Sequence, residues 1–190
     1  MLALVPNLDV LCIGELGLFP LLDWHQFLSR STTALRVVSH VTIVGSNTTL
    51  NEPGVTSSLQ FLDITPNLQG LYLFDVRPKG HKLALTTIPS KKLLYVYLSN
   101  CGMARRLYRK IVRDQHLVHM RSVPTRNHFD IGTAAGPSAP DMVAALASSK
   151  LSLKDLRVFP LVIAGTRSSL RSFKNLAHVE IPHPGFSDMR

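Results

Sequence analysis

The sequence predicts an α/β solenoid, with short parallel strands lining a concave face and helices and irregular segments returning over the convex face. Three observations point to it. The phrase PNLDVLCIGEL at Pro6 to Leu16 returns sixty residues later as PNLQGLYLFDV at Pro66 to Val76, with the same leucine spacing. Further copies of that spacing follow along the chain, and internal repetition outranks other signals when a fold is read from sequence. Finally, 190 residues that are 45% hydrophobic and 17% charged can bury a sizeable core.

The template places apolar residues at positions 1, 4, 6, 9 and 11 of each copy. Leu8, Leu11, Ile13, Leu16 and Leu18 fill all five in the first copy, and Leu68, Leu71, Leu73 and Val76 fill four in the third. The copies Leu93, Val96, Leu98, Cys101, Met103 and Leu153, Leu156, Val158, Leu161, Ile163 are complete. Shorter copies stand at Val38, Val41 and Ile43, at Leu117 and Met120, and at Leu176, Val179 and Ile181. First positions at 8, 38, 68, 93, 117, 153 and 176 give spacings of 30, 30, 25, 24, 36 and 23, which suit leucine-rich repeats. Positions 4 and 6 lie two apart and so face one side of a strand, while positions 1, 9 and 11 turn inward at its ends. One such unit buries its apolar edge only by stacking on its neighbours, which predicts one leucine-rich-repeat domain over 1–190 with about seven irregular repeats.

Between strands the chain must return. Pro20, Leu22, Trp24, Phe27 and Leu28 predict a helix over 20–30. Cys101, beside Asn100, takes the turn position where a thiol or amide satisfies backbone groups. The segment 101–114 predicts a helix with Leu107 and Ile111 inward and its arginines outward, and 139–150 predicts another, introduced by Asp141. GTAAGPSAP at 132–140 predicts a surface loop. The first strand begins within ten residues of Met1, so the array is expected to lack a polar N-terminal cap.

Charge is uneven. Residues 1–76 hold two basic and six acidic side chains (−4), and 77–190 hold nineteen and six (+13), which sum to the net +9. Two cysteines 89 positions apart make neither a disulfide framework nor a zinc cluster, and a reducing compartment, cytoplasmic or nuclear, is the expectation. The apolar opening carries Asp9, Glu15 and two prolines without a basic leading region, so it reads as folded structure and not as a signal peptide. No run of about eighteen uncharged apolar residues predicts a membrane span. Asn47-Thr48-Thr49 matches a glycosylation sequon but has no secretory context.

The PNLxxLxL phrase followed by a turn, with irregular repeat lengths and intervening helices, resembles the leucine-rich-repeat portion of fungal-type F-box proteins over roughly residues 6–182. No stretch resembles the F-box itself. The resemblance implies substrate recognition in a ubiquitin ligase component, with a Skp1-type adaptor engaged only through an F-box supplied elsewhere.

Positions 3, 5 and 7 of each copy project from the concave face. They supply Tyr72, Phe74, Tyr95 and Tyr97 in its middle and Arg121, Arg157 and Phe159 later on. Tyrosine and arginine are the side chains that most often carry interface energy. These seven are the candidate protein-binding surface, with no catalytic residue, metal or cofactor. The alternative is RNA or another polyanion held by the basic 104–128 segment, where Arg105, Arg106, Arg109, Lys110 and Arg113 surround Tyr108. An enzyme built on Asp114, His116 and His119 is the weakest reading, because no HExxH, nucleophile elbow or phosphate-binding glycine loop accompanies them.

Overall fold

A computed structural model describes residues 7–14, 35–45, 65–75, 92–99, 101, 105–123, 143–158 and 170–180. Within them lie seven strands: β1 (Val10–Gly14), β2 (His40–Val44), β3 (Gly70–Phe74), β4 (Tyr95–Ser99), β5 (His119–Val123), β6 (Asp155–Val158) and β7 (His178–Glu180). They form a single parallel sheet in chain order, β1-β2-β3-β4-β5-β6-β7. An α/β fold is therefore what the described residues support. Each strand coincides with one copy of the repeated phrase, including the two short copies at 38 and 117.

Register follows the template. Position 4 of each copy pairs with position 4 of the next, giving the row Leu11, Val41, Leu71, Val96, Met120, Leu156, Val179. A one-residue slip would turn the whole row toward the other face, so the apolar alternation holds the register firmly. Leu11 to Leu156 in that row are buried, as are Ile43, Leu73, Leu98 and Val158 at position 6. Ahead of them Val38, Leu68, Leu93, Leu117 and Leu153 at position 1 are fully enclosed. Each such side chain contributes about 1.5–3 kcal/mol of burial, which makes these rows the main source of stability. Val179, on the last strand, stays 42% exposed.

The backbone repeats as strictly as the side chains. At position 2 the carbonyls of Asp9, Ser39, Gln69, Leu94, Val118 and Lys154 each accept two N–H groups from the next copy, for instance Gln69 N at 2.7 Å and Gly70 N at 3.0 Å on Ser39. A shared acceptor at each step staples the strand starts together whatever side chains they carry. The asparagine of the repeated phrase adds a side-chain staple. Asn67 Nδ2 donates to Arg36 O at 2.6 Å, and Asn175 Nδ2 donates to Leu151 O at 2.5 Å, the equivalent carbonyl four copies later.

Behind the sheet the helix α1 (Arg105–Val112) contributes Tyr108, Ile111 and Val112 to the core cluster. That spacing of three and four marks one helix face. Arg109 and Lys110 in its last turn suit the negative helix end, and Asp114 closes it in the left-handed region at φ 63°. The side chain of Leu107 lies outside the description. The expected helix over 139–150 is represented by a helical turn at 143–145 and a 3-10 turn at Ala147–Ser149. Fully buried Ser149 accepts from Leu117 N at 3.0 Å and donates to Gln115 O at 2.8 Å, which ties that turn to the segment between α1 and β5. The helix over 20–30, the loop 132–140, Asp141 and the residues ahead of Asn7 lie outside the described residues.

Candidate binding face

Alternation that buries positions 4 and 6 sends positions 3, 5 and 7 to the opposite, open face. Three cross-strand rows result, and their contents decide the chemistry. The position-3 row reads Val10, His40, Gly70, Tyr95, His119, Asp155, His178, and the position-5 row reads Cys12, Thr42, Tyr72, Tyr97, Arg121, Arg157, Glu180.

Neighbours within and between the rows touch. Tyr95 stacks on His119 with centroids 5.2 Å apart and planes 10° apart. His119 Nδ1 lies 3.8 Å from Asp155 Oδ2, Asp155 Oδ1 lies 3.4 Å from Arg157 Nε, and Arg157 Nη1 lies 3.2 Å from Glu180 Oε2. In the other direction Arg121 sits over the Tyr97 ring at 5.3 Å, and Tyr97 meets Phe74 at 5.2 Å. Such cross-strand pairs are worth roughly 0.2–1 kcal/mol each, enough to fix rotamers without making the face a core.

Gly70 is needed in the first row. A Cβ there would stand 2.3 Å from His40 Cδ2, because the imidazole lies across the glycine and reaches Tyr72 and Tyr95 at centroid distances of 6.3 and 6.5 Å. Ser39 Oγ donates to the Asp9 carboxylate and lies 2.7 Å from His40 Nδ1.

A depression of about 160 Å³ opens between β3 and β6, lined by Tyr72, Tyr95, Tyr97, Arg121 and Arg157 together with His119 and Asp155, where the strands pass through Val96 and Met120, whose side chains belong to the core row. Small-molecule sites occupy roughly 300–1,000 Å³, so this hollow suits one side chain of a larger partner. Five of the seven residues expected from sequence come together here. Phe74 adjoins through Tyr97, and Phe159 lies outside the described residues. His119 and Asp155 were legible as projecting residues, yet their place in the site depends on the pairing of β4, β5 and β6.

The described basic residues of 104–128 lie on two elements. Arg109, Lys110 and Arg113 are exposed on and just beyond α1, whereas Arg121 belongs to the open face of the sheet. Nothing is described of the Arg105 and Arg106 side chains. Arg113 lies 3.7 Å from Asp114, with both side chains in solvent. Tyr108, expected to interleave with these cations, is 2% exposed in the core, and burial raises its phenol pKa well above the ordinary value. It offers no platform for a base.

His119 pairs with Asp155 and not with the Asp114 and His116 grouping considered from sequence. Among the described residues no three His, Cys, Asp or Glu side chains are placed to hold a metal ion. Cys101 Sγ lies 3.3 Å from both Leu73 O and Ser99 O, so the thiol reaches carbonyls of β3 and β4 and not the turn groups its position suggested. No described helix is long and apolar enough to cross a membrane. Compared with protein families, characterised proteins and solved structures, the chain matches no family model, no characterised protein and no solved structure.

Proposed function

We propose that the chain is a leucine-rich-repeat solenoid that acts as a non-catalytic protein-interaction module, holding its partner on the open face between β3 and β6. The observation that carries this reading is the convergence of Tyr72, Tyr95, Tyr97, Arg121 and Arg157 around one hollow on the open face. Aromatic and arginine side chains that surround a pocket are the usual composition of an interface hot spot, where single truncations cost about 2 kcal/mol or more. The chain-order parallel sheet, with one strand per repeated phrase, supports the solenoid. The resemblance to the repeat portion of F-box proteins extends the reading to substrate recognition in a ubiquitin ligase, with a Skp1-type adaptor bound through an F-box supplied elsewhere.

The double variant Tyr97→Ala/Arg157→Ala tests it. A peptide library displayed on phage and panned on the wild type should yield binders that the variant no longer retains, while circular dichroism shows the same folded signal for both. Equal retention by the two proteins refutes a binding role for this face.

A further inference from the structure

The fixed charges described on the open face balance in number, Arg121 and Arg157 against Asp155 and Glu180, but not in pairing. Arg157 is held between two carboxylates, Asp155 at 3.4 Å and Glu180 at 3.2 Å. Arg121, its direct cross-strand neighbour, faces no carboxylate among the described residues. Two arginines side by side on adjacent strands repel, so the second remains there uncompensated. Its guanidinium lies over Tyr97 at 5.3 Å, which directs the cation along the rim of the hollow and leaves its donors open. Beside it, Tyr97 and its cross-strand neighbour Tyr72 offer flat apolar area with a phenolic hydroxyl at the end.

Resting on the binding reading given above, we infer that the partner segment is an acidic peptide whose Asp or Glu carboxylate is bound by Arg121 while the adjoining residue lies on Tyr72 and Tyr97. Arginine suits this role because its planar fork meets a carboxylate with two parallel hydrogen bonds. The size of the hollow argues the same way, since 160 Å³ admits one side chain and not a cofactor. Asp155 excludes a second acid near β6, so one acidic position, and not an acidic run, is the specificity.

Random decapeptides displayed on phage, panned on the wild type, on Arg121→Gln and on Tyr97→Ala, supply the test. Wild-type binders should carry Asp or Glu at one fixed position. A synthetic binder should lose roughly tenfold in affinity when that acid becomes Asn or Gln, and Arg121→Gln should lose a similar factor. In the double-mutant cycle the two losses should not add, because they remove one contact. Raising the salt concentration should weaken the acidic peptide and leave its amide version nearly unchanged. Binders with no acidic position, retained by Arg121→Gln and lost on Tyr97→Ala, overturn the acidic assignment and keep the binding face. No enrichment, or binders indifferent to both variants, overturns the binding face and the acidic assignment together. A uridylate oligomer that binds the wild type and is lost on Arg121→Gln also overturns the peptide assignment, in favour of a phosphate ligand.

Discussion

On β3, Leu71 and Leu73 are fully enclosed, while Tyr72 and Phe74 between and beyond them are only half buried. β4 repeats the contrast, with Val96 and Leu98 inside and Tyr95, Tyr97 and Ser99 half open. One backbone thus carries two surfaces under different rules. The inner rows are interchangeable aliphatic groups whose worth is the area they remove from water. The outer rows hold unlike partners, each pair specified by what stands one strand away. On the binding reading proposed above, stability resides on one face and recognition on the other, and substitutions should separate them.

The largest separation is expected between Leu71→Ala and Tyr97→Ala. Removing Leu71 empties space in a fully enclosed row and should cost about 3 kcal/mol in urea denaturation. Tyr97 loses its contacts with Phe74 and Arg121 but uncovers no cavity, so about 1 kcal/mol or less is expected. If Tyr97→Ala costs as much as Leu71→Ala, the open face is a second core and not a surface kept for a partner.

A middle-sized effect sharpens the contrast at Gly70, where the open face is packed most tightly. A methyl group there overlaps His40, so the imidazole must swing away and give up its hydrogen bond with Ser39. Gly70→Ala should cost about 1–2 kcal/mol. In a His40→Ala background the severest overlap is gone and only Tyr72 Cε2, 3.0 Å from the new Cβ, must give slightly, so most of the cost of alanine should disappear. A double-mutant cycle by thermal and urea melts checks this, and additive losses would place the strain elsewhere.

Strand positions were legible because burial leaves a period of two, and a misplaced repeat would have put charges inside. Even the copy at 117, with only Leu117 and Met120 in place, lies in register with its neighbours. The pairing among outer residues was less legible. Sequence spacing puts Arg157 on the open face beside Asp155 of the same strand, but only the strand order β5-β6-β7 reveals that Glu180 also reaches it while Arg121 goes without. Helix orientation was the weakest point. In ARRLYRKIVRD several apolar stripes compete, and Leu107 with Ile111 is as regular as Tyr108 with Ile111 and Val112. Tyrosine, half polar, gives no firm vote between them.

That misjudged tyrosine yields the smallest expected effect and a clear one. Tyr108 lies on the inner side of the divide, yet its Oη is buried with no hydrogen-bond partner among the described residues. It carries an outer-face group under inner-face rules. Removing an unpaired buried hydroxyl spares its desolvation, so Tyr108→Phe should stabilise the fold by about 1 kcal/mol. Burial raises the phenol pKa in the folded state above the unfolded value near 10. Below about pH 10 both states hold the proton, and this group makes stability independent of pH. Above it the unfolded chain releases the proton first and binds fewer protons than the folded one, so stability falls as pH rises toward the folded pKa. Urea melts from pH 8 to 11 should show that alkaline decline in the wild type and a shallower one in Tyr108→Phe. An unchanged decline would mean that Tyr108 finds a partner or solvent in the folded protein, and the division between the two faces would then extend to the helix as well as the sheet.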